Sequence, residues 1–483
     1  MRRQNEALDS GRATGDRVRR RYLLTYLLVA LPISLLFNWR TDLISMEGII
    51  ALAARHMRAS GDWIVPRLYG DIYAFKPAMV YWMAAGTEWL FGRQTEFSLR
   101  LPTALCGVLL GLALFFVMGA LVTPRCGLFC ALAATTSGIY VEQIGMAGFD
   151  VPLTLGSTLA VLAACRNLSV ERADWRYWVL GYAGLWFAFM SKGIPALVVY
   201  APGLIVAGLA VRRFGRLFQW SHLLGVTLFL AATGLYLYLA YLTAQADAFK
   251  QHLGELILRS ARFGGAALLQ MALKPFIIVG VFMPWSAAVI YAAVRQRKAY
   301  SDVATARTWR IAWAFLITGL SAYLLVTTDD TRYYLPLAGP IAMVAGMALE
   351  RLPAPHARAI AVIFTVIGCC VLAINDGIVQ PRRARKRSLR SVAAVFAPHI
   401  PRDAPVYVDA LDNYSSLFFY LEREGRHWRS RSDRRDPEGF IVLIGDQHTT
   451  LLPPPGSVFQ TVVSVIGPDK RPYTLARVTR AAS

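Results

Sequence analysis

Long apolar runs separated by short polar breaks dominate the chain. The first covers Tyr22–Phe37, and others read approximately 101–122, 126–141, 151–165, 177–191, 193–211, 221–243, 272–294, 309–327, 332–350 and 356–376. A bilayer core takes ~20 apolar residues in helical form, so the pattern predicts about eleven membrane spans. The first run lacks a small-residue cleavage site and reads as a signal anchor. Residues 78–91 form a shorter run. As a helix it would be about 21 Å long, against a hydrocarbon core of roughly 30 Å, which predicts an interfacial or re-entrant helix. In residues 45–59 the spacing sets Met46, Ile49, Ile50, Ala53 and Met57 on one side, as in an amphipathic helix lying on a membrane surface.

Past Asp376 the pattern changes. A basic stretch, PRRARKRSLR, leads into APVYVDA, GFIVLIGD and VFQTVVSVI, which alternate or run apolar as strands do. DNYSSLFFYLEREG between the first two reads as a helix. The predicted architecture is a polytopic α-helical membrane domain over 1–376, with a long first loop at 40–100, followed by a small α/β domain over 377–483.

Composition agrees with the membrane reading: 56% of residues are hydrophobic and 17% charged, where soluble domains carry about a quarter. A net charge of +21 in a soluble protein would point to nucleic acid. Here the cations sit in alternate loops, at Arg125, at Arg166 and Arg172, at Arg212, Arg213 and Arg216, at Arg295, Arg297 and Lys298, and at Arg351 and Arg358. That is the positive-inside pattern. With Arg17, Arg19, Arg20 and Arg21 ahead of the first span, it puts the N-terminus in the cytoplasm and the first loop and C-terminal domain outside. The basic stretch after residue 376 runs against that trend; it suits either anionic head groups or plain solvation. All six cysteines lie in apolar runs without metal-site spacing, as packing residues do. No cofactor and no metal is expected.

Polar groups on the outer side are the candidates for chemistry, because such groups beside spans are costly unless used. The first loop holds Asp42, Glu47, Arg55, Asp62, Arg67, Asp71 and Lys76. Asp150 opens a span, Lys192 lies in SKGIP between two spans, and Glu255, Arg259 and Arg262 lie in a second outer loop. A third carries Asp329, Asp330, Arg332, Tyr333 and Tyr334. Cations neutralise a phosphate leaving group and a carboxylate deprotonates an acceptor. Each lone Lys or Arg could equally be an interfacial snorkeller.

The run ASGDWIVPRLYGDIYAFKPAMVYW resembles the first outer loop of bacterial aminoarabinose transferases acting on lipid A, within the broader GT-C, protein O-mannosyltransferase-like family. GFDVPLTL, SKGIP and RYYLPLAGP follow in the expected order, so the resemblance covers roughly 22–376. It implies an inner-membrane enzyme that moves a sugar from undecaprenyl phosphate to a periplasmic acceptor such as lipid A. It implies that Lys76, Lys192, Arg259 or Arg262, and Tyr333 hold the donor phosphate, with Arg55 and Tyr73 of the first loop beside them. Asp150 matches the second-loop acid.

The departures are specific. The family's acidic dipeptide falls on Met46 and Glu47, its arginine on Ile49, its second glutamate on Leu52, and the glutamate before KP on Phe75. With methionine at the acidic position, Glu47 or Asp42 is the expected base, supported by Asp150, and Glu47, Asp150 and Lys76 are expected around one cavity. The competing expectation is a divergent relative that binds the lipid-linked sugar, or assists a partner enzyme, without transferring it. A transporter would call for charges buried mid-span and paired repeats, which the chain lacks.

Overall fold

The computed structural model describes residues 2–35, 41–44, 46–73, 75–244, 265–296, 300–325, 330–408, 414–428, 439–444 and 457–480. The helices run α1 (Arg2–Leu35), α2 (Met46–Ser60), α3 (Met79–Phe91), α4 (Glu96–Leu121), α5 (Pro124–Thr135), α6 (Gly138–Ile144), α7 (Asp150–Ser169), α8 (Trp175–Lys192), α9 (Pro195–Ala210) and α10 (Trp220–Ala244). They continue with α11 (Gly265–Val281), α12 (Ser286–Arg295), α13 (Val303–Leu325), α14 (Ala338–Glu350), α15 (Ala354–Ile374) and α16 (Gln380–Arg387). The protein is a multi-pass membrane protein. Among the described residues five helices are long and apolar enough to cross a bilayer, or six if the pair α11–α12, bent by 111°, is counted as one span.

Of the other predicted spans, the first lies in α1 as far as Leu35, 177–191 lies whole within α8 and 193–211 forms most of α9; the remaining two are broken, each for a local reason. The run 126–141 is split between α5 and α6 where three hydroxyl residues, Thr135, Thr136 and Ser137, turn their side chains back onto backbone carbonyls. The run 332–350 opens as a 3-10 turn, Thr331–Leu337, with Pro336 inside it, before α14 begins. As predicted, residues 79–91 make only a short helix, closed by Gly92 in a left-handed conformation (φ 73°).

The bundle core is one large apolar cluster reaching from Tyr26 on α1 to Leu372 on α15. Its closest approaches use glycine. A Cβ at Gly127 on α5 would sit 2.4 Å from the Phe115 carbonyl oxygen of α4, and one at Gly156 on α7 would sit 2.3 Å from that of Gly184 on α8. Small residues let helix backbones close up where lipid supplies no hydrophobic drive.

The first loop is ordered by its own motif. Asp62 accepts the backbone N–H groups of Ile64 and Val65, an Asx turn. Trp82 of the YW pair donates its indole N–H to the Trp63 carbonyl at 2.6 Å. Strands β1 (Arg67–Leu68) and β2 (Asp71–Ile72) pair antiparallel across Tyr69–Gly70, both at positive φ (55° and 88°), as a type I′ hairpin turn requires. Much of the SGDW–VP–YG–KP–YW spacing therefore has a structural reason.

The C-terminal part adds α17 (Arg390–Phe396), β3 (Val406–Val408), α18 (Ser415–Leu421), β4 (Arg426–His427), β5 (Gly439–Ile444), β6 (Ser457–Ile466) and β7 (Pro472–Arg480). The sheet order is β4-β3-β5-β7-β6, with β3 parallel to β4 and β5 and β7 antiparallel to its two neighbours. The three predicted strands and the helix are there; β4 and β7 went unrecognised.

The sheet does not hang free. One apolar cluster joins Ile49, Leu52, Leu68, Tyr69 and Tyr73 of the first loop to Val392, Phe396, Val406, Phe418 and Leu475. Helix α18 packs directly on α2: a Cβ at Gly48 would lie 2.5 Å from the Ser415 backbone. The edge strand β4 also donates the His427 N–H to the Tyr69 carbonyl, while the His427 ring meets Asp71.

Candidate functional site

Asp150, Lys192 and Tyr333 are brought together from three separate elements. Asp150 is the first residue of α7, where the helix dipole favours a carboxylate. Lys192 is the last residue of α8, where the dipole favours a cation. The intervening SKGIP explains itself: Gly193 takes φ 82° to end α8, its N–H returning to the Phe189 carbonyl, and Pro195 opens α9. Lys192 is 4% exposed and ion-pairs with Asp150. Its Nζ also stands 3.9 Å from the centre of the Tyr333 ring, a cation–π contact. Tyr333 is held in the 3-10 turn, which Asp330 caps by accepting the Arg332 N–H while pairing with the Arg332 guanidinium.

Lys274 extends this cluster. It lies inside apolar α11, 1% exposed, and donates to the carbonyls of Tyr323 and Leu324 at 3.4 and 3.5 Å. The Tyr323 ring stands edge-on to Tyr334, at 5.8 Å. Sequence reasoning passed over Lys274, although a lysine inside an apolar run is itself the signal.

Lys76 is half-buried ahead of Pro77 and α3. The start of α3 is tied to the same region, since Ala78, Tyr81, Phe149 and Met190 share one apolar cluster. Phe149 precedes Asp150, and Met190 lies two residues before Lys192.

Glu47 does something else. It is fully buried and held by Arg100 on α4 through two parallel hydrogen bonds, Nε to Oε1 at 2.7 Å and Nη2 to Oε2 at 2.9 Å. The backbone N–H groups of Ala147 and Ile44 fill its remaining positions at 2.9 and 3.2 Å. Arg100 spends its other nitrogen on the Thr41 carbonyl and hydroxyl. A carboxylate engaged on this many sides is a clamp between α2, α4 and the 145–150 segment. Asp42 is likewise occupied, accepting from Ser388 Oγ and from Arg390, both at 2.9 Å.

The cleft beside these groups is lined by Thr41, Asp42, Glu47, Arg100 and Asp376, but by neither Asp150 nor Lys76. Glu47 thus lies on a cleft that includes neither of the two residues expected beside it, Asp150 and Lys76. The reason is the Arg100 guanidinium, which draws Glu47 into protein. Met46, at the family's acidic position, packs into two apolar clusters instead. Tyr73 belongs to the cluster shared with the C-terminal sheet, its ring 4.9 Å from Phe75. Arg55 donates to Gln94 at 3.3 Å and faces Phe419 of α18, and burial lowers its pKa from the ordinary arginine value. Arg259 and Arg262 lie outside the described residues.

Comparisons with known proteins agree with this architecture. Residues 75–239 match the family described as dolichyl-phosphate-mannose-protein mannosyltransferase. An undecaprenyl phosphate-alpha-4-amino-4-deoxy-L-arabinose arabinosyl transferase of Pectobacterium atrosepticum is 29% identical over 376 residues, covering 74% of this chain and 65% of that protein. Its counterpart in Edwardsiella ictaluri is 33% identical over 202 residues, 41% of this chain and 35% of the relative. The matched stretches thus span less than two thirds of either relative. Among solved structures, ArnT from Cupriavidus metallidurans bound to undecaprenyl phosphate superposes with a TM-score of 0.73 at 19% identity, over 94% of this chain and 98% of that one. The mycobacterial arabinofuranosyltransferase AftD reaches 0.55 at 14% identity, over 96% and 40%. The chain therefore shares the fold of the GT-C membrane glycosyltransferases and is similar in sequence to their aminoarabinose-transferring members.

Proposed function

We propose that this protein is a glycosyltransferase of the bacterial inner membrane that moves a sugar, aminoarabinose or a relative of it, from undecaprenyl phosphate to a periplasmic acceptor such as lipid A. The convergence of Asp150, Lys192 and Tyr333 carries the reading. Three residues far apart in sequence, each within a motif that resembles those of the arabinosyl transferases, meet in one cluster in which Asp150 and Lys192 are buried and Tyr333 is half-buried. The first loop and the C-terminal sheet face the periplasm in this reading, and the N-terminus the cytoplasm.

Lys192, with Lys76, Tyr333 and Arg259 or Arg262, neutralises the donor phosphate. The acceptor oxygen or nitrogen attacks the anomeric carbon, and the bond from that carbon to the phosphate oxygen breaks with its electrons leaving on the phosphate. Asp150 takes the acceptor proton. Its pairing with Lys192 suits the task, because an arriving phosphate competes for the lysine and leaves the carboxylate free to accept. Glu47 and Asp42, first choices for the base from sequence, hold the loop in place. Transfer is measured in membranes supplied with the undecaprenyl-phosphate-linked sugar, for wild type, Asp150→Asn and Lys192→Ala. Loss of ~10²-fold or more in both, the range of a general base or an electrostatic stabiliser, supports the assignment. Donor binding by a wild type that transfers nothing supports the divergent-relative reading, for which Met46 is the motive. Full activity in both variants removes this site.

A further inference from the structure

The end of the bundle opposite this site holds a second polar cavity. Helix α7 is 20 residues long, or ~30 Å, and at its far end the C-terminus of α9 and the N-terminus of α13 come alongside. Between α9 and α13 lies a cavity of about 440 Å³, lined by Arg212, Arg213, Arg307, Arg310, Tyr300 and Ser301. Four arginines line one space.

Two of them are committed. Arg213 and Arg307 both bind Glu171, at 2.8 and 2.6 Å, and together hold its carboxyl below the usual carboxylate range. Arg213 also donates to the carbonyls of Leu168 and Val170 at the end of α7. Asp302, the other nearby acid, is turned onto Thr305 to cap α13. Arg212 and Arg310 are exposed and, among the described residues, meet no carboxylate or carbonyl.

The backbone at Arg212 adds an independent observation. Helix α9 ends with the Arg213 N–H on the Gly208 carbonyl and the Arg212 N–H on the Leu209 carbonyl. This is a Schellman ending, whose left-handed position is ordinarily glycine. Arg212 occupies it at φ 57°, so a cation stands where local energetics favour no side chain at all. The surroundings belong to a membrane border. Leu209 and Val303 are exposed apolar neighbours, and Trp309 stands edge-on to Tyr300 at 5.8 Å.

We propose that this cavity binds the phosphodiester head group of an anionic phospholipid, from the leaflet opposite the Asp150–Lys192 cluster, with Arg212 and Arg310 as its ligands. Guanidinium groups bind phosphate oxygens in pairs, and the exposed apolar residues at the rim give the acyl chains a continuous path into lipid.

The test is native mass spectrometry of the full-length protein titrated with phosphatidylglycerol, phosphatidylcholine or inorganic phosphate. Wild type is expected to retain one phosphatidylglycerol and no phosphatidylcholine, and Arg212→Ala/Arg310→Ala to bind it at least tenfold more weakly. Arg212→Gly/Arg310→Ala removes the same charges while relieving the backbone, and should melt no lower than wild type yet bind as poorly. Arg295→Ala/Arg358→Ala, which removes two arginines outside the cavity, should stay within twofold. Equal losses in this control would reduce the cavity to general surface charge and overturn the proposal. Displacement of the lipid by millimolar inorganic phosphate would make the ligand a soluble anion and overturn it as well.

Discussion

The Glu47–Arg100 pair decides how the first loop is read at the scale of single residues. An isolated carboxylate beside a catalytic motif suggests a base. A buried carboxylate receiving two guanidinium and two backbone bonds is a fastener. Glu47→Gln is expected to lower stability by about 3–5 kcal/mol, because it leaves Arg100 buried and unpaired, and Glu47→Met/Arg100→Met should recover most of that. Thermal melting of the detergent-solubilised protein measures both. An unchanged melting temperature with abolished transfer would restore Glu47 as the base. The pairing was invisible in the sequence because its members are 53 residues apart and such an interaction leaves no periodic trace. Lys192 and Tyr333 were legible, since SKGIP and RYYLPLAGP stand out as motifs. Lys274 was legible too, as a lone cation in an apolar run, and was missed because it belonged to no motif.

Among the elements, α2 is the one whose meaning changed most. Its amphipathic spacing predicted a helix lying on lipid, and the helix is there, but protein covers it. Nine of its residues are buried, and Gly48 admits the Ser415 backbone where any side chain would collide. Periodicity reports that a face is apolar and not what covers it, so a surface helix and a packed one read alike. Gly48→Val should therefore separate α18 from α2 and speed proteolysis of the basic segment 382–390. Gly86→Ala, on α3 where a Cβ would meet nothing within 4 Å, should instead stabilise by roughly 0.5–1 kcal/mol. Limited trypsin digestion and thermal melting distinguish the two. Strands β4 and β7 escaped notice for related reasons: β4 is two residues long, and β7 mixes charged residues into its alternation.

For the molecule as a whole, the C-terminal sheet is fixed to the membrane domain in two ways. Polar contacts bind its periphery, an ion pair of Arg390 with Asp42 at 2.9 Å and a hydrogen bond between the His427 ring and Asp71 at 2.5 Å, while the shared apolar cluster forms the centre. Partly exposed pairs contribute only about 0–1 kcal/mol each and are screened by salt; burial of several large side chains contributes about 1.5–3 kcal/mol apiece. Docking should thus be nearly indifferent to sodium chloride between roughly 0.05 and 0.5 M, a range over which the Debye length falls from above about 10 Å to well below it. Protection of the 382–390 segment from trypsin across that range measures it, and strong salt sensitivity would mean that the polar contacts dominate.

The grip of β4 and α18 on the first loop also fixes an order of events during synthesis. His427 is made long after Tyr69 and Asp71, the residues it holds. At translation rates of roughly 5–20 residues per second, the hairpin waits on the order of 20–70 s before its partner exists. For most of that interval Ile49, Leu52, Leu68 and Tyr73 lack the apolar surface that later covers them. The nascent protein is then most open to proteases and most dependent on chaperones at the segment whose motif is the most recognisable in the finished chain.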